Sequence, residues 1–325
     1  MLLKDINANE IIKKVTDHLI KEMESSDSSK WIKGWTNKSF QNLDGHKYSG
    51  MNLFWLSMID GGFIDDKPRT RKIYGTYIQW KNKGLQVKRG AQSLPLLRPI
   101  IGSKDVEVET PKGKEIVTNN YKYFSTFKVF NIEDVEGDIS SWDSADNVNN
   151  KNEVETSLIA EQYIKNTEAV INHVEGGNAY YVPSKDFIFM PNKSDFIKTE
   201  TATATDGYYS TLFHELTHWT GAKNRCARDL SGWKGSPDYA FEELVAEMGA
   251  AFLCNYLGIN STPRADHVRY LKSWVQCLKD KPKALINASG QANKALMFLN
   301  GLQPKTEFTI QTTKTTTTND ERRVA

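Results

Sequence analysis

The chain has 325 residues, of which 39% are hydrophobic and 25% are charged, and its net charge is +2. This length and composition are those of an ordinary globular protein of about two domains. They exclude a membrane-spanning protein, because no stretch approaches the roughly 20 apolar residues of a membrane helix. The three scattered cysteines exclude a disulfide framework and a cysteine zinc site, so we expect a cytoplasmic protein without a signal peptide.

The first half is predicted to mix helices and strands. Apolar residues recur at helical spacing between Asn9 and Glu24, and the segments Asn52 to Ile59 and Gly75 to Lys83 also favour helices. Two strands are predicted at Ser93 to Ile101 and Tyr121 to Val129, around a charged hairpin arm that contains glycine.

A basic, aromatic stretch lies within this half. Residues 68–98 contain eight Lys and Arg residues and no Asp or Glu, and four of the eight tryptophans fall between Trp31 and Trp80. Proteins that bind single strands combine a basic groove for phosphates with aromatic faces on which bases stack. The composition is equally compatible with aromatics that form a small core beneath solvated lysines.

An acidic, polar segment separates the two halves. We predict a domain over residues 1–137, a linker over 138–153, a second domain over 154–304 and a disordered Thr-rich tail over 305–325. The second half is predicted to contain a helix from Val154 to His173 and a strand pair at residues 179–182 and 187–190. Helices are predicted around residues 211–221, 239–253, 265–278 and 290–299.

The segment His214-Glu215-Leu216-Thr217-His218 reads H-E-x-x-H, the signature of a zinc-binding helix. Residues four apart lie on one helix face, so His214 and His218 can direct one nitrogen each at a single ion. Glu215 can reach a metal-bound water as the general base without binding the metal. Gly221 suits the left-handed position that ends a helix.

A third ligand is needed to complete a catalytic site. The longer pattern H-E-x-x-H-x-x-G-x-x-H is not followed, because its last position is Asn224, a poor zinc ligand. A carboxylate from the next helix is the better candidate: Glu243 and Glu247 share a face, and Glu242 is the fallback. Ala246, Gly249 and Ala250 are small enough to let the two helices approach closely.

This arrangement resembles that of the gluzincins, in which the ligand glutamate is followed four residues later by an acid. The resemblance implies that Glu243 is the third ligand and that Glu247 orients a ligand histidine. It also implies hydrolysis of a peptide bond with Zn²⁺, although other divalent ions such as manganese suit the same ligands. Candidates for stabilising the oxyanion are Tyr208, Tyr209, Tyr239 and His267.

The whole chain resembles plasmid antirestriction proteins of the ArdC type over about residues 5–300. In the first half the resemblance is carried by residues 47–52, 77–81, 88–90 and 127–131. In the second it is carried by residues 208–209 before the His-Glu motif, 218–221, 239–240 and 242–247, and His173 and residues 186–191 also fit. The family's N-terminal domain binds single-stranded DNA. The residues that we therefore expect to contact DNA are Trp31, Trp35, Lys47, Tyr48, Asn52, Trp55, Arg69, Arg71, Tyr74, Tyr77, Trp80, Lys81, Lys88 and Arg89.

The expected fold is α+β with two domains, a small α+β domain that binds single-stranded DNA and a mainly helical zincin-like domain of the gluzincin type. The expected function is protection of the single-stranded plasmid or phage DNA of a mobile element. One alternative is an active, DNA-linked zinc metalloprotease that cleaves a protein substrate. A second is a binding module whose inactive zincin domain keeps the metal for stability.

Overall fold

The chain is described by a computed structural model that covers residues 6–24, 40–60, 69–110, 113–142, 153–198, 203–260, 268–281 and 283–304. Helices and strands are mixed in the first half, and helices dominate the second, as the α+β prediction requires. No helix in these ranges is both long and apolar enough to cross a membrane.

The described part of the first half contains three α-helices and six strands. Its elements are α1 (Ala8–Glu24), β1 (Gln41–Asn42), α2 (Gly50–Asp60), β2 (Ile73–Gly75), α3 (Tyr77–Asn82), β3 (Gln86–Val87), β4 (Leu94–Thr110), β5 (Gly113–Asn131) and β6 (Val135–Glu136). One sheet has the order β1-β2-β5-β4, and β3 pairs with β6. The three predicted helices are present, but the very short strands carried no detectable sequence signal.

The hairpin of β4 and β5 is longer than predicted. Its antiparallel register runs without a break from Leu94 opposite Val129 to Thr110 opposite Gly113. The base of the hairpin is buried, whereas its far part exposes Ile101, Ile116, Tyr121 and Tyr123. The charged arm therefore continues the two predicted strands as a single two-stranded ribbon.

The described part of the second half contains five α-helices and a small sheet, against which α5 packs. Its elements are α4 (Glu153–Lys165), β7 (Val170–Val174), β8 (Tyr180–Val182), β9 (Phe187–Pro191), α5 (Ala204–Thr220), α6 (Pro237–Leu257), α7 (Val268–Asp280) and α8 (Ala284–Gly301). The sheet order is β7-β9-β8, with β9 parallel to β7 and antiparallel to β8.

The helix predicted to run from Val154 to His173 ends earlier, and the prediction was wrong beyond Lys165. Glu168 adopts a positive φ of 58°, which a continuing helix does not allow. The chain then enters β7, which pairs with β9. That pairing involves residues 17 positions apart, since Val170 lies opposite Phe187, and helical periodicity cannot reveal it.

Helices α5 and α6 pack closely against each other. Each begins at a capped terminus: Thr203 and Asp206 form a capping box for α5, and Ser236 caps α6 ahead of Pro237. A Cβ atom at Gly249 would lie 2.4 Å from the Cγ2 atom of Thr217. The expectation that small residues allow this close approach is confirmed at Gly249.

The two halves share one hydrophobic core. Phe54 of α2 packs against Phe252 of α6 with ring centroids 5.6 Å apart, and Lys47 donates to the carbonyl oxygens of Asn255 and Tyr256. Trp142 packs edge-on against Trp80, so the packed first half extends into the segment predicted as a linker. Residues 143–152 and the predicted tail at 305–325 lie outside the described residues.

Candidate functional site

Helix α5 directs the two histidines of the motif at one point. The Nε2 atoms of His214 and His218 lie 3.1 Å apart, and both rings are largely buried. Imidazole nitrogens at this separation need a proton or a cation between them, because two lone pairs repel each other. The geometry therefore fits a shared metal ion.

Helix α6 brings a carboxylate to the same point. Glu243 Oε2 lies 3.5 Å from His214 Nε2 and Glu243 Oε1 lies 3.6 Å from His218 Nε2. His214, His218 and Glu243 each offer one ligand atom, and these three atoms all lie within 4.8 Å of one another. Two imidazoles and one carboxylate form a donor set of catalytic zinc sites, so these residues fit a divalent ion.

The Nδ1 atom of each histidine, on the side of the ring away from Glu243, contacts a further carboxylate. Glu247 Oε1 is 2.6 Å from His214 Nδ1, and Glu242 Oε1 is 3.0 Å from His218 Nδ1. A carboxylate on this ring nitrogen fixes the tautomer that leaves Nε2 available for a metal. Glu247 lies where its expected orienting role needs a carboxylate, and that role stays a prediction. Glu242, the alternative ligand, instead contacts Nδ1 of His218.

Arg228 holds Glu242 in place. Its Nε and Nη2 atoms donate to the two carboxylate oxygens at 2.9 and 2.8 Å, a bidentate pair that fixes the carboxylate in orientation as well as distance. Arg228 also donates to the Thr217 carbonyl at 2.6 Å. No sequence motif connects Arg228 with the histidines, so this contact is visible only in the folded chain.

Gly221 serves a different purpose from the one expected. Its φ is −69°, so the left-handed conformation predicted from sequence is wrong. A Cβ atom there would lie 2.9 Å from the His218 carbonyl oxygen and 3.0 Å from Arg228 Nη2. The absence of a side chain at Gly221 therefore makes room for the guanidinium group.

The surrounding charges keep the carboxylates ionised. Burial alone would raise the pKa of Glu243, but hydrogen bonding to His214 and the charges of the imidazoles outweigh it and hold this pKa at about 2. Burial also opposes ionisation of Glu242, and its contacts with His218 and Arg228 nevertheless lower its pKa. Glu243 is therefore ionised at neutral pH, as a carboxylate ligand must be.

These residues border a cleft of about 480 Å³. Glu215 is only 3% exposed and lines the cleft beside His214 and Glu243. Strand β8 also contributes Tyr180 and Tyr181 to the lining. The cleft thus contains the Glu215 carboxylate together with the three converging side chains, and the role of Glu215 as general base stays a prediction.

Of the four oxyanion candidates, Tyr239 lines the cleft. The hydroxyl of Tyr208 lies 2.9 Å from His173 Nε2, and that of Tyr209 donates to Glu161 at 2.7 Å. These two side chains are therefore engaged elsewhere, and His267 lies outside the described residues.

Three aromatic residues expected to stack on bases are in the core. Trp55, Tyr74 and Trp80 are each 0% exposed, and both indole nitrogens donate to backbone carbonyls, Trp55 to Pro95 and Trp80 to Phe130. A stacking face must be accessible to the base, so the prediction was wrong for these residues. Trp31 and Trp35 lie outside the described residues.

Several polar candidates have structural partners. Arg69 is buried in an ion pair with Asp134 at 2.5 Å, which contradicts a role in binding phosphate. The amide of Asn52 exchanges hydrogen bonds with the Leu97 backbone. Arg71 and Tyr48 are half-buried, and Lys47 is committed to the contact between the two halves.

The remaining candidates stay accessible. Tyr77 is 46% exposed, and Lys81 and Arg89 are also exposed. Lys88 is exposed as well, although its Nζ atom donates to the Glu133 carbonyl oxygen at 2.9 Å. Of the twelve predicted DNA contacts that lie within the described residues, these four are on an open surface, and they remain predictions.

Replacing Arg228 with alanine is expected to weaken Zn²⁺ binding by about 10–100-fold, because Glu242 would no longer orient His218. The affinity can be measured by competition with a chromophoric chelator. Arg225→Ala is the matched control: Arg225 is buried in the same loop but contacts Asp186 and the Trp219 carbonyl. Equal affinities for Arg228→Ala and the unmodified chain would contradict the orienting role.

Two family matches cover most of the chain. Residues 9–130 match the N-terminal domain of anti-restriction factor ArdC. Residues 159–291 match the zincin-like metallopeptidases named MPTase-PolyVal, and a zincin-like domain implies a divalent metal ion. The order of the two matches agrees with the expected architecture.

Sequence relatives include two kinds of protein. The DNA primase TraC of Escherichia coli is 29% identical over 325 residues, in an alignment that includes 92% of this chain and 28% of the primase. The chain thus spans little more than a quarter of that relative. The uncharacterized protein y4eC of Sinorhizobium fredii is 29% identical over 259 residues, covering 79% of this chain and 78% of y4eC.

Two solved structures of one protein are similar over both halves. The metal-free antirestriction protein ArdC of plasmid R388 superposes with a TM-score of 0.64 at 28% identity, over 90% of this chain and 97% of the other. Its Mn(II)-bound structure gives a TM-score of 0.62 at 29% identity, with the same coverage.

Proposed function

The chain is an ArdC-type protein, an antirestriction N-terminal domain joined to a zincin-like metallopeptidase domain, and from this premise we propose that it binds single-stranded DNA. Its physiological role would be to protect the single-stranded DNA of a plasmid or phage from restriction. The similarity to the R388 antirestriction protein over both halves is the observation that carries the proposal.

The accessible surface supports binding that does not depend on sequence. Tyr77, Lys81 and Arg89 offer an aromatic ring and two positive charges to solvent. Phosphates bind to such charges whatever the base, and every base has a face that can stack. A protein that coats DNA needs contacts of this kind rather than hydrogen bonds to base edges.

Single-stranded oligonucleotides are expected to bind more tightly than duplexes of equal length, with an affinity that falls steeply as salt rises. Each phosphate contact contributes about 0.7 to the slope of log affinity against log salt concentration. Fluorescence anisotropy with labelled oligonucleotides at several salt concentrations measures both quantities. Equal affinity for single strands and duplexes, or a salt slope near zero, would contradict the proposal.

We propose peptide-bond hydrolysis as a second function, because His214, His218 and Glu243 converge beside Glu215. The three converging residues would bind Zn²⁺ or a similar divalent ion such as Mn²⁺. When bound, the ion would polarise the scissile carbonyl and lower the pKa of a water. Glu215 would take the proton from that water and deliver it to the leaving amine.

The cleft has a suitable border for an extended peptide. Strand β8 lies at the edge of its sheet among the described strands, and its Tyr180 and Tyr181 line the cleft. A peptide can add to such an edge through backbone hydrogen bonds, which are independent of its sequence. This arrangement supports a protein substrate over a small molecule.

A further inference from the structure

A second large cavity lies between the two halves of the chain, away from the histidines. It has a volume of about 1260 Å³ and is bordered by α1 and β5 from the first half and by α6, α7 and α8 from the second. We call it the lysine groove, because its lining includes Lys13, Lys122, Lys279, Lys283 and Lys294. The lining contains one acidic residue, Asp17.

Two of the five lysines are neutralised locally. Lys13 pairs with Asp17 at 2.5 Å and Lys279 pairs with Glu24 at 2.6 Å. Lys122, Lys283 and Lys294 are exposed, and within the described ranges no ion pair involves any of the three. The groove therefore keeps a positive charge that a bound anion could neutralise.

Apolar and aromatic side chains lie among these charges. Ile12, Ile20, Phe124 and Phe241 are only partly buried and pack against the core with their other faces. Tyr123 is 54% exposed and lies 6.0 Å from the exposed Tyr121 between ring centroids. Flat, accessible rings beside unpaired lysines are the combination on which unpaired bases stack while their phosphates are neutralised.

The size of the groove favours a polymer. Pockets for small molecules have volumes of about 300–1,000 Å³, whereas this groove is larger and carries three exposed lysines. We infer that the lysine groove is the main binding site for single-stranded DNA, formed jointly by the two halves of the chain. This inference rests on the proposed DNA-binding function and gives it a location different from the Arg69–Arg89 stretch.

The walls of the lysine groove come from both halves of the chain. Helix α1 packs against α7, and an ion pair between Glu24 and Lys279 spans these two walls of the groove. Lys122 and Tyr123 come from the hairpin, whereas Lys294 comes from α8 and Lys283 from the residue just before it. A strand that contacts all four must touch both halves at once.

The test compares sets of substitutions in the full chain. The groove variant is Lys122→Ala/Lys283→Ala/Lys294→Ala, and the control is Lys165→Ala/Lys185→Ala/Lys198→Ala, which removes three exposed lysines outside the groove. A third protein carries Lys81→Ala/Arg89→Ala. Anisotropy with a labelled single strand at several salt concentrations gives the affinity and slope of each.

The groove variant is expected to lose affinity by at least about 10-fold and to lower the salt slope by about 2, since three phosphate contacts are lost. Tyr123→Ala should weaken binding by about 10-fold while leaving the slope unchanged, because it removes stacking and no charge. The control should bind like the unmodified chain. Melting temperatures and metal content show whether each variant is folded.

Two other outcomes are distinguishable. If the unmodified chain binds single strands but the groove variant binds equally well, or only Lys81→Ala/Arg89→Ala loses affinity, the groove assignment is overturned and the DNA-binding function stands. If the unmodified chain binds no single-stranded DNA at all, both the groove assignment and the proposed DNA-binding function are contradicted.

Discussion

Replacing Glu215 with glutamine is expected to abolish peptide-bond hydrolysis and to leave the metal content unchanged. Glutamine has nearly the same shape but cannot accept the proton of the attacking water, and general bases contribute about 10²–10⁴-fold to rate. Because His214, His218 and Glu243 remain, the ion should still bind. Cleavage of labelled casein and of the chain itself, with and without single-stranded DNA, measures the first effect, and mass spectrometry measures the metal.

His214→Ala is the matched variant for Glu215→Gln, because it should lose the ion as well as the activity. Hydrolysis by Glu215→Gln at the unmodified rate would refute the assignment of the base. If the unmodified chain cleaves nothing, and both Glu215→Gln and the unmodified chain protect DNA equally well from restriction, the zincin-like domain serves binding or stability rather than catalysis.

Replacing Gly249 with alanine is expected to destabilise the fold although alanine favours helices. The new Cβ atom would lie 2.4 Å from Cγ2 and 2.5 Å from Oγ1 of Thr217, so α5 and α6 would have to separate. Overpacking of this kind costs about 1–3 kcal/mol. The separation also moves Glu243 and Glu247 away from His214, so Zn²⁺ affinity should fall together with the urea midpoint of unfolding.

A paired substitution isolates the steric cause. Thr217→Ala removes both clashing atoms, and the double variant Thr217→Ala/Gly249→Ala should recover much of the lost stability and metal affinity. Gly290→Ala serves as the control, because that helical glycine has nothing within 4 Å of an added Cβ and should gain up to about 1 kcal/mol. Equal stability of Gly249→Ala and the unmodified chain would contradict the close approach.

Helix α6 takes part in both proposed activities. Phe241 lines the lysine groove, whereas the next two residues, Glu242 and Glu243, line the cleft. A displacement of this turn therefore affects DNA contacts and metal ligands together. Variants in the groove should accordingly be checked for metal content before their DNA affinities are compared.

The composition of residues 31–89 misled the prediction of DNA contacts for a physical reason. Trp55, Tyr74 and Trp80 are apolar enough to be buried, and the backbone satisfies the indole N–H groups of Trp55 and Trp80. Residues of this kind suit a core as well as a stacking surface. Local composition cannot distinguish these uses. Burial depends on which segments fold over them, and Trp142, from a segment read as a linker, covers Trp80.

The helix that carries His214, Glu215 and His218 is predictable from the amino-acid sequence, because helical spacing places the two imidazoles on one face. The α+β class and the helix that supplies Glu243 are predictable in the same way. The contacts of Glu242 with His218 and Arg228, and the lining of one groove by lysines from both halves, are visible only in the folded chain. Those contacts join residues far apart in the chain, and their geometry depends on how helices and strands pack rather than on any local pattern.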